Sequence, residues 1–131
     1  MVNDIKTGGK VMTVTATISA IGPQALSPDD PMVILFDDSA TEALRAVTLI
    51  QDFQARTALE TINLSIGDTI DIDNQEFTLT YVGQLANENL HAIGHVALVF
   101  APVPEHDRLE NALYLTPTQV PDFHVDTRIT Y

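Results

Sequence analysis

The chain has four histidines and no cysteine, which limits the nucleophiles that it can offer. A neutral imidazole can attack phosphorus through one ring nitrogen while a hydrogen bond at the other nitrogen fixes the tautomer. His91, His95, His106 and His124 all lie in the last third of the chain. The sequence lacks the Gly-x-Ser-x-Gly and His-Glu-x-x-His motifs of common hydrolases, so histidine chemistry is the first to consider.

His95 has the best-defined setting of the four. It follows Gly94 and begins an apolar run that ends at Phe100. A histidine in this place can bind an anion or support a neighbouring acceptor. It can equally close the end of a strand with a hydrogen bond to the backbone. The sequence leaves both roles open.

The other three histidines are expected at the surface. His91 falls on the side of a predicted helix away from its apolar residues, and His106 and His124 lie in acidic segments flanked by prolines. Their acidic neighbours supply possible metal ligands, but adjacent loop residues seldom converge on one ion. We therefore predict neither a metal site nor a cofactor.

The segment Val82–Phe100 organises the predicted fold around His95. Ala86, Leu90 and Ile93 recur at helical spacing, and Gly94 stands where a left-handed helix cap is favoured. The apolar run that follows is too short for a buried helix and has the length of a core strand. We predict a short helix that leads directly into that strand.

Alternating apolar residues predict a β-rich chain around this segment. About eight short strands, with turn signals between them and one or two short helices, favour a single-domain antiparallel barrel or sandwich. One strand is expected to pass through Leu64 and Ile66. Residues 1–131 should form one domain, with residues 1–10 as a flexible polar terminus. The residues predicted to be buried are Met12, Val14, Ile18, Val33, Leu35, Ile70, Leu79, Val96, Leu98 and Phe100.

The charge balance excludes two classes of partner. Six Lys and Arg stand against 18 Asp and Glu, for a formal net charge of -12. Such a field repels nucleic acids and anionic membrane surfaces. No stretch approaches the roughly 20 apolar residues of a membrane span, and the first ten residues lack the apolar core of a signal peptide. We expect a cytoplasmic protein without membrane insertion.

A pattern in the organising segment resembles a known family, the glucitol/sorbitol-specific IIA component of the bacterial phosphoenolpyruvate-dependent sugar phosphotransferase system. The residues that carry the resemblance are Val82-Gly83, Ala86, Asn89-Leu90, Gly94-His95-Val96, Leu98 and Phe100. The resemblance implies a small β-rich phosphoryl carrier. It also implies its partners: the histidine-containing phosphocarrier protein as donor, and the membrane IIB and IIC components, which import a hexitol, as recipients.

One position departs from the family pattern. In the family, the phosphoacceptor histidine lies at the end of the strand after a short acidic helix, and counting from Phe36 without a gap places it at Gln51. The second histidine that the family often has corresponds to Phe53. An amide nitrogen can form hydrogen bonds but cannot carry a phosphoryl group.

Two functions therefore remain open, and with them the question of whether the chain takes part in catalysis. In the first, the protein is a working phosphoryl carrier, with His95 as a supporting group or as a rival acceptor. In the second, it is a non-phosphorylatable homologue that acts as a binding or regulatory module. Histidine at position 51 would restore phosphorylation only if the surrounding pocket is otherwise intact.

Overall fold

The computed structural model describes residues 13–54 and 56–131, which form eight strands and three short helices. The strands are β1 (Thr15–Ile21), β2 (Met32–Phe36), β3 (Leu49–Phe53), β4 (Thr69–Ile72), β5 (Gln75–Val82), β6 (Val96–Val99), β7 (Ala112–Thr116) and β8 (Arg128–Thr130). The helices are α1 (Glu42–Arg45), α2 (Arg56–Leu59) and α3 (Ala86–Ile93). None of these described helices has the length and apolar character needed to cross a bilayer. The segment 1–10, predicted as a flexible terminus, lies outside the described residues.

The eight strands close into a barrel in the order β1-β3-β2-β6-β7-β5-β4-β8. The ring closes where β8 pairs with β1, with Ile129 opposite Ala16. Closure matters because it leaves no long strand edge free to pair with another chain. The prediction of a β-rich barrel of about eight short strands is confirmed.

Two neighbouring pairs of strands are parallel, so the barrel is mixed. The predicted barrel or sandwich was wholly antiparallel. Leu35 of β2 lies opposite Leu49 of β3, and Leu98 of β6 lies opposite Leu113 of β7, both in parallel register. Parallel neighbours need a crossover connection of about a dozen residues. The segments 37–48 and 100–111 have that length, and α1 lies in the first of them.

The barrel interior is one apolar cluster to which all eight strands contribute. Every predicted core residue that the structure describes is buried, while Met12 lies outside the described residues. Leu98, in the middle of β6, has no exposed surface and lies opposite Val33 of β2. A separate outer cluster contains Phe36 and Ile50, whose side chains leave the opposite face of β2 and β3. The two candidate site residues, Gln51 and His95, are divided between these two layers.

The predicted strand through Leu64 and Ile66 is wrong. Leu64 donates its N–H to Asn87 Oδ1 at 2.8 Å and accepts from Asn87 Nδ2 at 3.0 Å, so a side chain on α3 takes the place of a neighbouring strand. Ile66 is 65% exposed, and Gly67 follows it with φ of 96°. The alternating apolar residues here belong to a turn that packs against α3.

Helix α3 ends as its sequence predicts. Gly94 has φ of 58° and ψ of 30°, and its N–H donates to the carbonyl of Leu90 at 3.0 Å. A left-handed residue satisfies the last carbonyls of a helix and turns the chain sharply. The turn delivers His95 directly to the start of β6.

Candidate functional site

Gln51 lies in the middle of β3, opposite Ile18 of β1. Leu49 belongs to the interior cluster and Ile50 to the outer cluster, so strand alternation directs Gln51 back into the barrel. Its exposed fraction is 0%. A fully buried amide requires partners inside the protein.

Both ends of the Gln51 amide have such partners. Nε2 donates to the carbonyl oxygen of Gly94 at 2.9 Å, and the hydroxyl of Tyr131 donates to Oε1 at 2.7 Å. Burial raises the pKa of the Tyr131 phenol well above its ordinary value, and the hydrogen bond with Gln51 offsets part of that increase. The hydroxyl is therefore protonated and acts as a donor. Because the Gly94 carbonyl can only accept, the orientation of the amide is fixed.

The Gly94 carbonyl is held in place by a close contact between two loops. Asp37, which follows β2, donates its N–H to the carbonyl of Ile93 at 3.1 Å. A Cβ atom at position 94 would lie 2.9 Å from the Cβ of Asp37. Only glycine fits both this approach and the left-handed conformation. The hydrogen-bond acceptor for Gln51 thus has a fixed position.

An open cavity of about 530 Å³ adjoins Gln51, and we call it the acidic cavity. Asp37 accepts hydrogen bonds through Oδ1 from both the N–H and the hydroxyl of Ser39. Three aspartates line the cavity among the described residues, and no described basic side chain lines it. Its lining residues are Asp37, Asp38, Gln51, Asp52, Phe53, Gln54 and Leu59.

His95 lies on the opposite face of the sheet from Gln51. Its Nδ1 is 3.0 Å from the carbonyl oxygen of Leu35, and its ring lies 4.5 Å from the ring of Phe36 in the outer cluster. A carbonyl only accepts, so Nδ1 carries the proton and Nε2 holds the lone pair in the neutral ring. The two residues singled out from the sequence are thus not brought together. Gly94 connects them, because its carbonyl accepts from Gln51 and it precedes His95 in the chain.

A family model described as PTS system glucitol/sorbitol-specific IIA component matches residues 13–130. The chain belongs to that family. It is also similar to the crystal structure of a PTS system IIA component from Enterococcus faecalis V583, with 37% identity, a TM-score of 0.82, and coverage of 88% of this chain and 96% of that chain. No curated protein sequence matches the chain.

The remaining histidines of this IIA-family barrel lie apart from the acidic cavity. His91 was expected to be solvated, yet it is partly buried and its Nε2 contacts the carbonyl oxygen of Ile62. His106 is exposed. Within residues 13–54 and 56–131, no three acidic or histidine side chains are grouped so that they could hold a metal ion.

His124 forms an exposed ion pair, with Nε2 3.2 Å from Oδ2 of Asp73. The hydrogen bond to the Val125 carbonyl is the main cause that raises the pKa of His124. Burial opposes the increase, and the nearby carboxylates of Asp73, Asp122 and Asp126 add to it. This pair ties the turn between β4 and β5 to the segment before β8.

Sequence reasoning missed Tyr131 and Asp37 as parts of the site. Tyr131 is 80 positions from its partner Gln51, and no local pattern indicates that contact. Ile129 and Tyr131 alternate with polar residues, which favours a strand, but this local pattern does not indicate that Tyr131 lies beside β3. The role of Asp37 could not be predicted either, because it depends on packing against the Gly94 turn.

Proposed function

We propose that this IIA-family protein is a docking or regulatory module that carries no phosphoryl group at Gln51. The observation that supports the proposal is the buried amide, whose two ends are bonded to Gly94 and Tyr131. The family role of relaying a phosphoryl group from the phosphocarrier protein to the IIB and IIC components would require a nucleophile elsewhere.

The chemistry of the side chain argues against transfer at position 51. The nitrogen lone pair of an amide is delocalised into its carbonyl group, so it does not attack phosphorus. Here the nitrogen also donates to a backbone carbonyl, and the residue has no exposed surface. The buried amide therefore offers no nucleophilic electron pair to a phosphorus atom.

The charge of the acidic cavity adds to this argument. A phosphoryl group arrives with negative charge and is stabilised by donors and cations. The charged residues found in the described lining are Asp37, Asp38 and Asp52. Together with the formal net charge of -12, the carboxylates of Asp38 and Asp52 oppose the approach of a phosphorylated donor side chain.

The proposed partners follow from the family. The histidine-containing phosphocarrier protein and the membrane IIB and IIC components are the expected docking partners, and the cytoplasm is the expected location. Nucleic acid is not an expected partner because the net charge repels it. We propose further that residues 1–131 act as one domain.

A second candidate function is phosphoryl transfer through His95. The observation that favours it is the fixed tautomer: Nδ1 is held by Leu35, which leaves the Nε2 lone pair as the reactive one. This arrangement is the one that a nucleophilic histidine needs. His95 lies on the outer face, however, so a donor would have to dock on a different surface from the one near Gln51.

The experiment combines docking with transfer. The protein is incubated with phosphoenolpyruvate, enzyme I and the histidine-containing phosphocarrier, and protein-bound phosphate is measured under alkaline conditions that preserve phosphohistidine. Binding to the unphosphorylated carrier is followed by NMR titration of labelled protein. We expect saturable binding without a bound phosphoryl group, while a IIA component with histidine at this position serves as the positive control.

Two variants separate the candidate functions. If wild-type protein takes up label and His95→Ala abolishes it, the carrier function through His95 replaces our proposal. His106→Ala, which changes an exposed histidine, is the matched control and should leave any labelling unchanged. If the carrier does not bind at all, the docking role is wrong.

A further inference from the structure

Tyr131 holds the Gln51 amide from a rigid position. Its ring is 2% exposed and stacks on Phe53, with centroids 6.1 Å apart and planes 27° apart. Its backbone N–H donates to the carbonyl of Val14 at 2.8 Å. Ring and backbone contacts together fix where the hydroxyl lies, independently of the side chain at position 51.

An imidazole in place of the Gln51 side chain would meet the same two partners. The Gly94 carbonyl can only accept and would hold one ring N–H, which leaves the other ring nitrogen with its lone pair. The buried Tyr131 hydroxyl would otherwise lose its acceptor, so it would donate to that lone pair. Histidine thus reproduces the donor and acceptor of the amide, and its nucleophilic electron pair is occupied.

We propose that Tyr131 is a positioning residue that forms a second block to phosphoryl transfer at position 51, in addition to the missing histidine. This inference rests on the proposed function, since it assumes that Gln51 stands at the acceptor position. Replacing the Gln51 amide by an imidazole makes transfer possible at this position, and losing the Tyr131 hydroxyl makes that transfer faster.

The reaction in question is a transfer between two imidazoles. The P–N bond of the donor phosphohistidine breaks as a P–N bond forms to the free acceptor nitrogen. The electron pair of the broken bond stays on the donor ring as its lone pair. The N–H bonded to Gly94 remains in place, and the protonated donor phosphohistidine keeps the proton on its other ring nitrogen. The donor ring therefore leaves neutral, its positive charge passes to the acceptor ring, and no net proton transfer is needed. A hydroxyl that donates to the attacking lone pair must first be displaced, which slows this step.

The test uses four variants of the full chain: Gln51→His, Tyr131→Phe, the double variant Gln51→His/Tyr131→Phe, and the control Gln51→His/Tyr114→Phe. Tyr114 is a matched control because it is also a buried phenol, but its hydroxyl accepts from the N–H of Leu109. Two phosphoryl donors are used, the phosphorylated carrier protein and phosphoramidate. The small donor needs no docking surface, so it separates a blocked site from failed docking.

We expect the Gln51→His/Tyr131→Phe variant to take up label about tenfold faster than Gln51→His, the ratio expected when a lone pair must first give up one neutral hydrogen bond. Gln51→His/Tyr114→Phe should be no faster than Gln51→His. Nitrogen-15 NMR should show the unprotonated ring nitrogen hydrogen-bonded in Gln51→His and free in the variant that also lacks the Tyr131 hydroxyl. If Tyr131 only stabilised the fold, replacing it by Phe would not change that signal.

Equal labelling rates for Gln51→His and Gln51→His/Tyr131→Phe would overturn the inference. So would a folded Gln51→His/Tyr131→Phe variant that accepts no label from phosphoramidate, because another block would then remain. Labelling of wild-type protein would instead overturn the proposed function, since Gln51 cannot be its acceptor. The two failures are therefore distinguishable, and circular dichroism melts of each variant confirm that the fold is retained.

Discussion

The inner and outer faces of the sheet beside Gly94 differ in how completely their polar side chains are hydrogen-bonded. On the inner face, the Gln51 amide is fully buried and bonded at both ends. On the outer face, the partly buried His95 ring is bonded through Nδ1, and no described residue bonds its Nε2. The inner site has the geometry of a structural hydrogen-bond network. The remaining reactive lone pair lies outside the barrel.

The largest effect is expected from Gln51→Leu, which removes the inner network. The change leaves the Gly94 carbonyl and the Tyr131 hydroxyl without their buried partner, so we expect a loss of about 2 to 5 kcal/mol in the free energy of unfolding. Urea denaturation followed by circular dichroism measures it. Leu98→Ala provides a scale, because a buried core truncation costs about 2 to 5 kcal/mol. A loss below about 1 kcal/mol would show that the inner amide is not structural.

Tyr131→Phe tests half of the same network. It removes one hydrogen bond and leaves Oε1 of Gln51 without its donor, so the expected loss is about 1 to 3 kcal/mol. Thermal and urea unfolding against Tyr114→Phe gives the comparison, because Tyr114 is also buried but its hydroxyl accepts from the N–H of Leu109 and does not bond a buried amide. Equal losses in the two variants would mean that the burial of Gln51 carries no special cost.

His95→Ala should cost less than either inner variant. Water can reach the vacated Leu35 carbonyl more easily on the outer face, and we expect a loss of about 0.5 to 1.5 kcal/mol. The same unfolding assay applies. If this variant were less stable than Gln51→Leu, the assignment of the structural network to the inner face would be reversed.

The smallest effect is expected at the exposed pair of His124 and Asp73, the least buried polar contact considered. Because the folded-state pKa of His124 is raised, its contribution to stability is complete below the unfolded pKa of about 6.5 and is lost as pH rises through the folded value. The stability difference between wild type and His124→Gln should therefore shrink with rising pH. A difference that grows with pH would contradict the sign of the shift.

Much of the fold could be predicted because local residue patterns determine it. Alternation placed Ile18, Leu35 and Leu98 in the core, and helical spacing followed by Gly94 predicted the end of α3 correctly. The parallel pairs could not be predicted, since residue alternation does not depend on strand direction. The expectation at Ile66 failed because Asn87 supplies to Leu64 the hydrogen bonds that a strand would otherwise provide.

The candidate site could be predicted only in part. The resemblance indicated Gln51 and His95, but it did not predict that their side chains lie on opposite faces of the sheet. That separation depends on which alternate residues of β3 and β6 face the barrel interior, where Leu49 and Val96 lie. The contact with Tyr131 joins segments 80 positions apart and is visible only in the closed barrel.

The most direct measurement of the central claim is the intact mass of wild-type protein after exhaustive incubation with phosphoenolpyruvate, enzyme I and the phosphocarrier, recorded without exposure to acid. Because the Gln51 amide is hydrogen-bonded at both ends and is not a nucleophile, we predict a single unmodified mass. The mass of the histidine-containing IIA control should increase by one phosphoryl group. A stable phosphorylated fraction of the wild-type protein would contradict the account.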